Sequence, residues 1–231
     1  MKPIIKALSV YIIAYFLLLM YVFGLQFAYP KIECHLWLNS CHNGVLDFFF
    51  QYYTLLAEGV LYVLALLPLL WHKKEMTIFF AMSELTGGAI VQLLKMIIST
   101  QRPASVFENY PDIALPVIEG IDLHYCSSFP SGHSSTFFMF FTCLAIILAY
   151  HYVHSPKPKT HRSRIVLNLV LLGMLLLAAL GGYSRIYLSQ HFMLDVWVGS
   201  IIGFVSPFLV FYLSRNKVLK LNKKQEMHSP E

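Results

Sequence analysis

The stretch Ser184–Asp195 places an arginine, a histidine and a carboxylate immediately before a long apolar segment. His191 and Asp195 are four residues apart, a spacing that puts both side chains on one face of a helix, one turn apart. A carboxylate there can accept one ring N–H, which fixes the tautomer and leaves the other nitrogen free as a nucleophile or base. Arg185 adds a planar charged group that suits phosphate or carboxylate. The plainer alternative is that Arg185 and Asp195 only mark the polar edge of the apolar segment.

Two further clusters flank the longest connection between apolar segments, residues 99–129. Lys95 and Arg102 lie at its start, and Pro130–His133 follows its end. Each cluster has a plain explanation, since a lysine can extend to a membrane surface and a proline can simply begin a helix. The coincidence of three clusters with cations and imidazoles favours a common site.

The helix start at residues 130–133 is the most informative of the three clusters. Gly132 removes side-chain bulk where a ligand must approach the backbone closely. The free N–H groups of such a helix start form an anion site, to which Ser131 adds a hydroxyl donor and His133 a proton. Together with the three cations, these groups predict a site for a tetrahedral phosphate.

The composition indicates a membrane protein. The chain is 57% hydrophobic and 13% charged with a mean hydropathy of +0.61, whereas soluble domains carry about 25% charged residues. Six apolar stretches are long enough to span a bilayer, which requires about 20 residues. They cover about residues 7–28, 48–71, 76–98, 129–153, 165–183 and 193–214.

Lysine and arginine are distributed unequally around these predicted spans. Of the 17 such residues, all but Lys31, Lys95, Arg102 and Arg185 fall on the side of the termini or at its helix ends. Positive residues mark the cytoplasmic side, so both termini are predicted to be cytoplasmic and the three clusters extracytoplasmic. The net charge of +5 is divided among short loops, a pattern that argues against a nucleic-acid partner.

The three clusters resemble, in order and spacing, the three-part signature of the phosphatidic acid phosphatase type 2 superfamily. The matching residues are Lys95, Arg102, Pro103, Pro130, Ser131, Gly132, His133, Ser184, Arg185, His191 and Asp195. That superfamily includes membrane lipid phosphatases and, among soluble members, bacterial acid phosphatases and vanadium haloperoxidases. The resemblance covers about residues 76–214.

The resemblance implies a role for each matched residue. His191 attacks phosphorus to form a phosphohistidine, Asp195 orients its ring, and His133 protonates the leaving oxygen before acting as a base toward water. The residues that bind the phosphoryl oxygens are Lys95, Arg102, Ser131, Gly132 and Arg185. Fixed cations take the place of a metal, so neither a metal nor another cofactor is expected.

We therefore expect an all-α fold: a single domain over residues 1–231 that forms a six-transmembrane-helix bundle. Its active site would lie at the extracytoplasmic ends of helices 3, 4 and 6, and residues 215–231 would form a cytoplasmic tail. The expected protein is a lipid phosphatase of the bacterial inner membrane. Undecaprenyl diphosphate, lipid A phosphate, phosphatidylglycerophosphate and phosphatidate remain open as its substrate, and the sequence does not predict the oligomeric state.

The alternative function is a lipid-headgroup-binding protein or transporter without hydrolytic activity. Glu58 and Glu84 lie inside predicted spans, and carboxylates there often mark ion pathways. Under the phosphatase hypothesis, Glu84 is instead expected to be protonated and hydrogen-bonded within the bundle, with Glu58 as the candidate partner. A Cys34–Cys41 disulfide is a further hypothesis, with Cys126 as a competing partner.

Overall fold

The computed structural model describes the backbone of residues 2–64 and 74–226 and the side chains of residues 2–64 and 75–214. Within these residues the fold is helical and contains no strand. The helices are α1 (Lys2–Ala7), α2 (Ser9–Ala28), α3 (Lys31–Leu38), α4 (Gly44–Leu55), α5 (Lys74–Ile97), α6 (Pro103–Phe107), α7 (Gly132–His154), α8 (His161–Tyr187) and α9 (Met193–Glu226). A π-helical turn, Leu56–Val60, follows α4 directly.

Five helical segments in the described part of the chain are long and apolar enough to cross a membrane. They are Ser9–Ala28, Glu75–Ile97, Gly132–His154, His161–Tyr187 and Met193–Ser214, which correspond to five of the six predicted spans. The remaining predicted span, 48–71, begins in α4 and the π-helical turn, and its last part falls outside the described residues. Helix α9 extends past the predicted span end at residue 214 to Glu226.

Helix α7 forms the centre of the bundle, where it packs against α5, α8 and α9. It is apolar on all sides, a composition typical of a helix surrounded by other helices, and Phe137, Met139 and Ile146 on it are almost fully buried. Helix α2 instead exposes Leu17 and Met20. Exposed side chains of this kind are compatible with a lipid surface and would be costly in water.

Two glycines allow α9 to lie directly against α7. A Cβ atom on Gly199 would stand 2.4 Å from the carbonyl oxygen of Ser131, and one on Gly203 would stand 2.2 Å from that of Ser135. Small residues at helix interfaces permit this kind of backbone approach in membrane proteins. The approach fixes the start of α9 against the start of α7.

The prediction that Glu58 partners Glu84 is wrong. Glu84 is half-buried within the bundle and accepts a short hydrogen bond from the Tyr62 hydroxyl. Glu58 lies at the irregular turn after α4 and faces His133 instead. Glu58 and Gly59 have non-helical backbone angles at this turn, so the regular helix expected from the sequence is interrupted there. Three residues after Glu84, Gly87 lets α5 lie close to α9, since a Cβ there would stand 3.3 Å from Ser206 Oγ.

The structure also lacks the hypothesised disulfide. All four cysteines lie in the described part of the chain, and all are free. Cys34 is buried on α3, whereas Cys41 and Cys126 are exposed. Cys143 is buried within α7.

Candidate active site

His191 and Asp195 lie on either side of the start of α9. The loop 188–192 connects α8 to α9, and the His191 N–H donates to the carbonyl of Arg185 at 3.0 Å. His191 is therefore in a loop, not on a helix as its spacing predicted. Asp195 lies in the first turn of α9 and accepts the N–H of Phe192 at 3.0 Å. The two buried side chains are nevertheless adjacent, with His191 Nδ1 3.6 Å from Asp195 Oδ2.

The hydroxyl of Ser128 lies between these two side chains. It donates to Asp195 Oδ2 at 2.5 Å, and its oxygen is 3.4 Å from His191 Nδ1. Because the hydroxyl proton is directed at Asp195, the serine oxygen is free to accept a proton from Nδ1. Nδ1 thus faces Ser128 and Asp195, and Nε2 is the ring nitrogen left for a ligand.

The surroundings of His191 keep its ring neutral near neutral pH. Burial is the main cause, and it lowers the pKa of His191 to about 4. Asp195 opposes this shift, whereas Arg185 and Arg102 add to it. A neutral imidazole retains the lone pair that a nucleophile requires.

Arg102 and Arg185 are buried guanidinium groups held by neutral oxygen atoms. Arg102 immediately precedes α6, and it donates from Nε to the carbonyl of Cys126 at 2.9 Å and from Nη1 to that of Gln190 at 3.2 Å. Arg185 is in the last turn of α8 and donates from Nη1 to Thr54 Oγ1 at 2.6 Å, while its Nε has no hydrogen-bond partner among the residues that the structure describes. Each guanidinium carries five N–H donors, so both retain donors for a ligand.

Lys95, near the end of α5, brings a third positive charge to the same place. Its Nζ donates to the carbonyl of Ser127 at 3.2 Å, one residue before the serine that contacts His191. Among the described residues, no carboxylate lies within ion-pair distance of Lys95, Arg102 or Arg185. The excess positive charge suits an anion such as a phosphate group.

The start of α7 is fixed against the start of α9. Ser131 is the N-cap of α7, and its Oγ accepts the Ser134 N–H at 3.4 Å. The backbone N–H of Ser131 donates to the carbonyl of Asp195 at 2.9 Å. The first turn of α7, which begins at Gly132, therefore lies beside the histidine–aspartate pair.

His133 is the second residue of α7, and its Nε2 lies 3.5 Å from Glu58 Oε1. This contact is at the limit of hydrogen-bonding distance, and Nε2 has no hydrogen-bond partner in the described part of the chain. The structure thus brings together all eight residues that the sequence placed in the site. They are Lys95, Arg102, Ser131, Gly132, His133, Arg185, His191 and Asp195.

Three supporting residues were missed by sequence reasoning: Ser128, Thr54 and Gln190. Thr54 had a signal, because it is a polar residue within an otherwise apolar predicted span. Gln190 directly precedes His191, and Ser128 lies two residues before Pro130. Nothing in their type or spacing indicated a contact with Arg102 or His191.

Comparison with known proteins finds a matching family and two similar proteins. The model of the PAP2 superfamily matches residues 76–219. The chain is 30% identical over 156 residues to the probable diacylglycerol pyrophosphate phosphatase 1 of Schizosaccharomyces pombe, a match that covers 62% of this chain and 54% of that protein. It is 38% identical over 84 residues to phosphatidylglycerophosphatase B of Bacillus subtilis, which covers 36% of this chain and 37% of that one. The chain thus spans about half or less of the length of these two relatives.

A solved structure shares the fold. The crystal structure of Aquifex aeolicus LpxE superimposes with a TM-score of 0.56 at 26% identity, covering 79% of this chain and 94% of that one. Fold and site together define a helical membrane protein with a buried histidine beside a cluster of cations. The chain belongs to the PAP2 superfamily, which confirms the resemblance inferred from its three-part signature.

Proposed function

We propose that this protein is an integral membrane lipid phosphatase that works through a phosphohistidine on His191. The observation that carries the proposal is the buried, neutral His191, whose Nδ1 faces Ser128 and Asp195. Its other ring nitrogen is left free beside Arg102 and Arg185, neither of which is paired with a carboxylate of the described residues. A headgroup-binding site would need the cations but not an oriented histidine among them.

In the first step, His191 Nε2 attacks phosphorus and the bond from phosphorus to the lipid oxygen breaks. His133 gives a proton to that departing oxygen. Lys95, Arg102 and Arg185, with the free N–H groups at the start of α7, stabilise the charge on the phosphoryl oxygens. Asp195 stabilises the positive charge that develops on His191.

In the second step, water enters where the lipid departed. His133 now takes a proton from that water, whose oxygen bonds to phosphorus while the bond from phosphorus to His191 breaks. Inorganic phosphate and neutral His191 result. The reaction needs no metal in this proposal, because Lys95, Arg102 and Arg185 already supply the positive charge that a metal would provide.

The proposed substrates are phosphate esters or diphosphates of membrane lipids. Two relatives support both kinds, since one is named as a diacylglycerol pyrophosphate phosphatase and the other as a phosphatidylglycerophosphatase. We therefore keep undecaprenyl diphosphate, lipid A phosphate, phosphatidylglycerophosphate and phosphatidate as the candidates. From the distribution of lysine and arginine, we propose that both termini are cytoplasmic and that the site faces the exterior of a bacterial inner membrane.

The test is phosphate release by detergent-purified protein from each of these four lipids, with and without a chelator. We expect release from at least one lipid, no loss in the chelator, and no release by the His191→Ala variant. A protein that binds these lipids but releases no phosphate from any of them would be the headgroup-binding alternative. Activity that is lost in the chelator and restored by added metal would contradict the metal-free mechanism.

A further inference from the structure

The helix that follows α4 is interrupted beside the active site. Residues Leu56–Val60 form a π-helical turn in which Glu58 has φ −85° and ψ 26°, and Gly59 has φ +107°. The value at Gly59 lies in the left-handed region, which glycine adopts without the strain that a side chain would cause. Irregular turns of this kind inside helices are frequent at functional sites.

The interruption brings a carboxylate to the proton donor of the site. Glu58 Oε1 lies 3.5 Å from His133 Nε2, and the Glu58 side chain is 55% exposed. The side chain is therefore not needed to fill the core.

The charges around His133 explain why a carboxylate matters there. Lys95 on α5, Arg102 before α6 and Arg185 on α8 place three positive charges around this imidazole, and the neutral His191 before α9 lies beside it. A general acid must nevertheless be protonated before the leaving oxygen departs. Of the described carboxylates, Glu58 contacts His133. Asp195 instead accepts hydrogen bonds from Ser128 and Phe192 and lies beside His191.

We propose that Glu58 is a positioning residue that holds His133 in its protonated form by facing the Nε2–H until the leaving oxygen of the lipid replaces it as the acceptor. This inference rests on the proposed phosphatase function. His133 passes the Nε2 proton to the lipid oxygen as the bond from that oxygen to phosphorus breaks, and Glu58 keeps its negative charge. In the second step His133 recovers a proton from the attacking water, and Glu58 again stabilises the imidazolium.

The first test compares two substrates with different leaving groups. Glu58→Gln keeps the size of the side chain and removes its charge. On a short-chain phosphatidate, whose alkoxide leaving group needs a proton, turnover should fall by about 10- to 100-fold, a part of the range that general acid catalysis contributes. On p-nitrophenyl phosphate, whose leaving group needs no proton, the loss should be much smaller. Glu108→Gln, at an exposed glutamate just after α6, is the matched control and should behave as wild type on both substrates.

Two further measurements separate this role from a structural one. The alkaline limb of the kcat/KM profile should move to lower pH in Glu58→Gln and stay in place in Glu58→Asp, because only the former loses the charge. In a His133→Ala background, Glu58→Gln should cause no additional loss, because the residue acts through His133.

The outcomes distinguish the two proposals. A wild type that releases phosphate, with a Glu58→Gln variant that loses activity equally on both substrates or keeps its pH profile, would overturn the role of Glu58 alone. A further loss of activity on adding Glu58→Gln to His133→Ala would also overturn the role of Glu58. A wild type that releases no phosphate from either substrate would overturn the phosphatase function, and the role of Glu58 with it.

Discussion

Gly199 is the residue of α9 that lies against the start of α7, and its replacement by alanine tests how the site is held together. The added Cβ would stand 2.4 Å from the carbonyl oxygen of Ser131 and 3.1 Å from Ser134 Cβ, where ordinary contact begins at 3.4 Å. The carbonyl belongs to the backbone and cannot rotate away, so the two helices must separate by about 1 Å to restore normal contact.

That separation acts directly on the candidate catalytic pair. Asp195 lies four residues before Gly199 on the same face of α9, and its carbonyl accepts the Ser131 N–H at 2.9 Å. Moving α9 therefore moves Asp195 relative to Ser128 and His191. A displacement of about 1 Å in a catalytic arrangement costs about 10²-fold in rate, and overpacking a core costs about 1–3 kcal/mol in stability.

The assay is phosphate release together with thermal unfolding in detergent. Gly199→Ala should lower kcat/KM by about 10²-fold and lower the melting temperature. The control is Gly173→Ala on α8, where a Cβ meets no atom within 4 Å, so activity should be unchanged and stability unchanged or slightly higher. A Gly199→Ala variant with the activity and melting temperature of wild type would refute the close packing of α7 and α9 as the basis of the site.

Three other predictions follow from single contacts. Thr54→Val removes the oxygen that binds Arg185 and should lower kcat/KM by about tenfold, since a hydrogen bond to a charged group contributes about 1.5–3 kcal/mol; an unchanged kcat/KM would contradict it. Glu84→Leu should lower the melting temperature by removing the carboxylate that accepts the Tyr62 hydroxyl proton, whereas Glu84→Gln should be tolerated, and equal melting temperatures for both variants would contradict this. Because the folded pKa of His191 is about 4 and the ordinary value about 6.5, the unfolded state binds more protons between these values. Wild-type stability should therefore fall as the pH drops from about 6.5 to about 4, and an equal fall in His191→Asn would contradict the shift.

The proximity of the candidate site residues could be predicted because they stand at helix ends in fixed spacing. Lys95 ends one apolar segment, Gly132 begins another, and Arg185 and Asp195 flank the turn between two more. Antiparallel packing of consecutive spans brings such ends together. The eight residues were therefore predictable as a group without knowledge of their contacts.

The supporting contacts were not predictable in the same way. Ser128 and His191 are 63 residues apart, and Thr54 and Arg185 are 131 apart, so no periodicity connects them. They meet only because the helices pack in one particular arrangement. Such contacts depend on the tertiary fold, which short-range spacing does not encode.

Local backbone geometry caused the remaining errors. The four-residue spacing of His191 and Asp195 was assigned to a helix, but Asp195 accepts the Phe192 N–H and so starts the helix after His191. Glu58 was placed on a regular helix, but the chain forms a π-helical turn with a positive φ at Gly59, and Glu58 faces His133 rather than Glu84. A glycine after a glutamate in an apolar segment was the available signal for that turn.

The most direct measurement is the mapping of a covalent phosphoenzyme. Detergent-purified protein is mixed briefly with a ³²P-labelled lipid phosphate that it hydrolyses, quenched in base and analysed by peptide mass spectrometry. We predict a base-stable, acid-labile phosphate on His191, absent from His191→Ala and more persistent in His133→Ala, because that variant lacks the base for the water step. A label that survives in His191→Ala, or rapid hydrolysis with no label on His191, would contradict the proposed nucleophile.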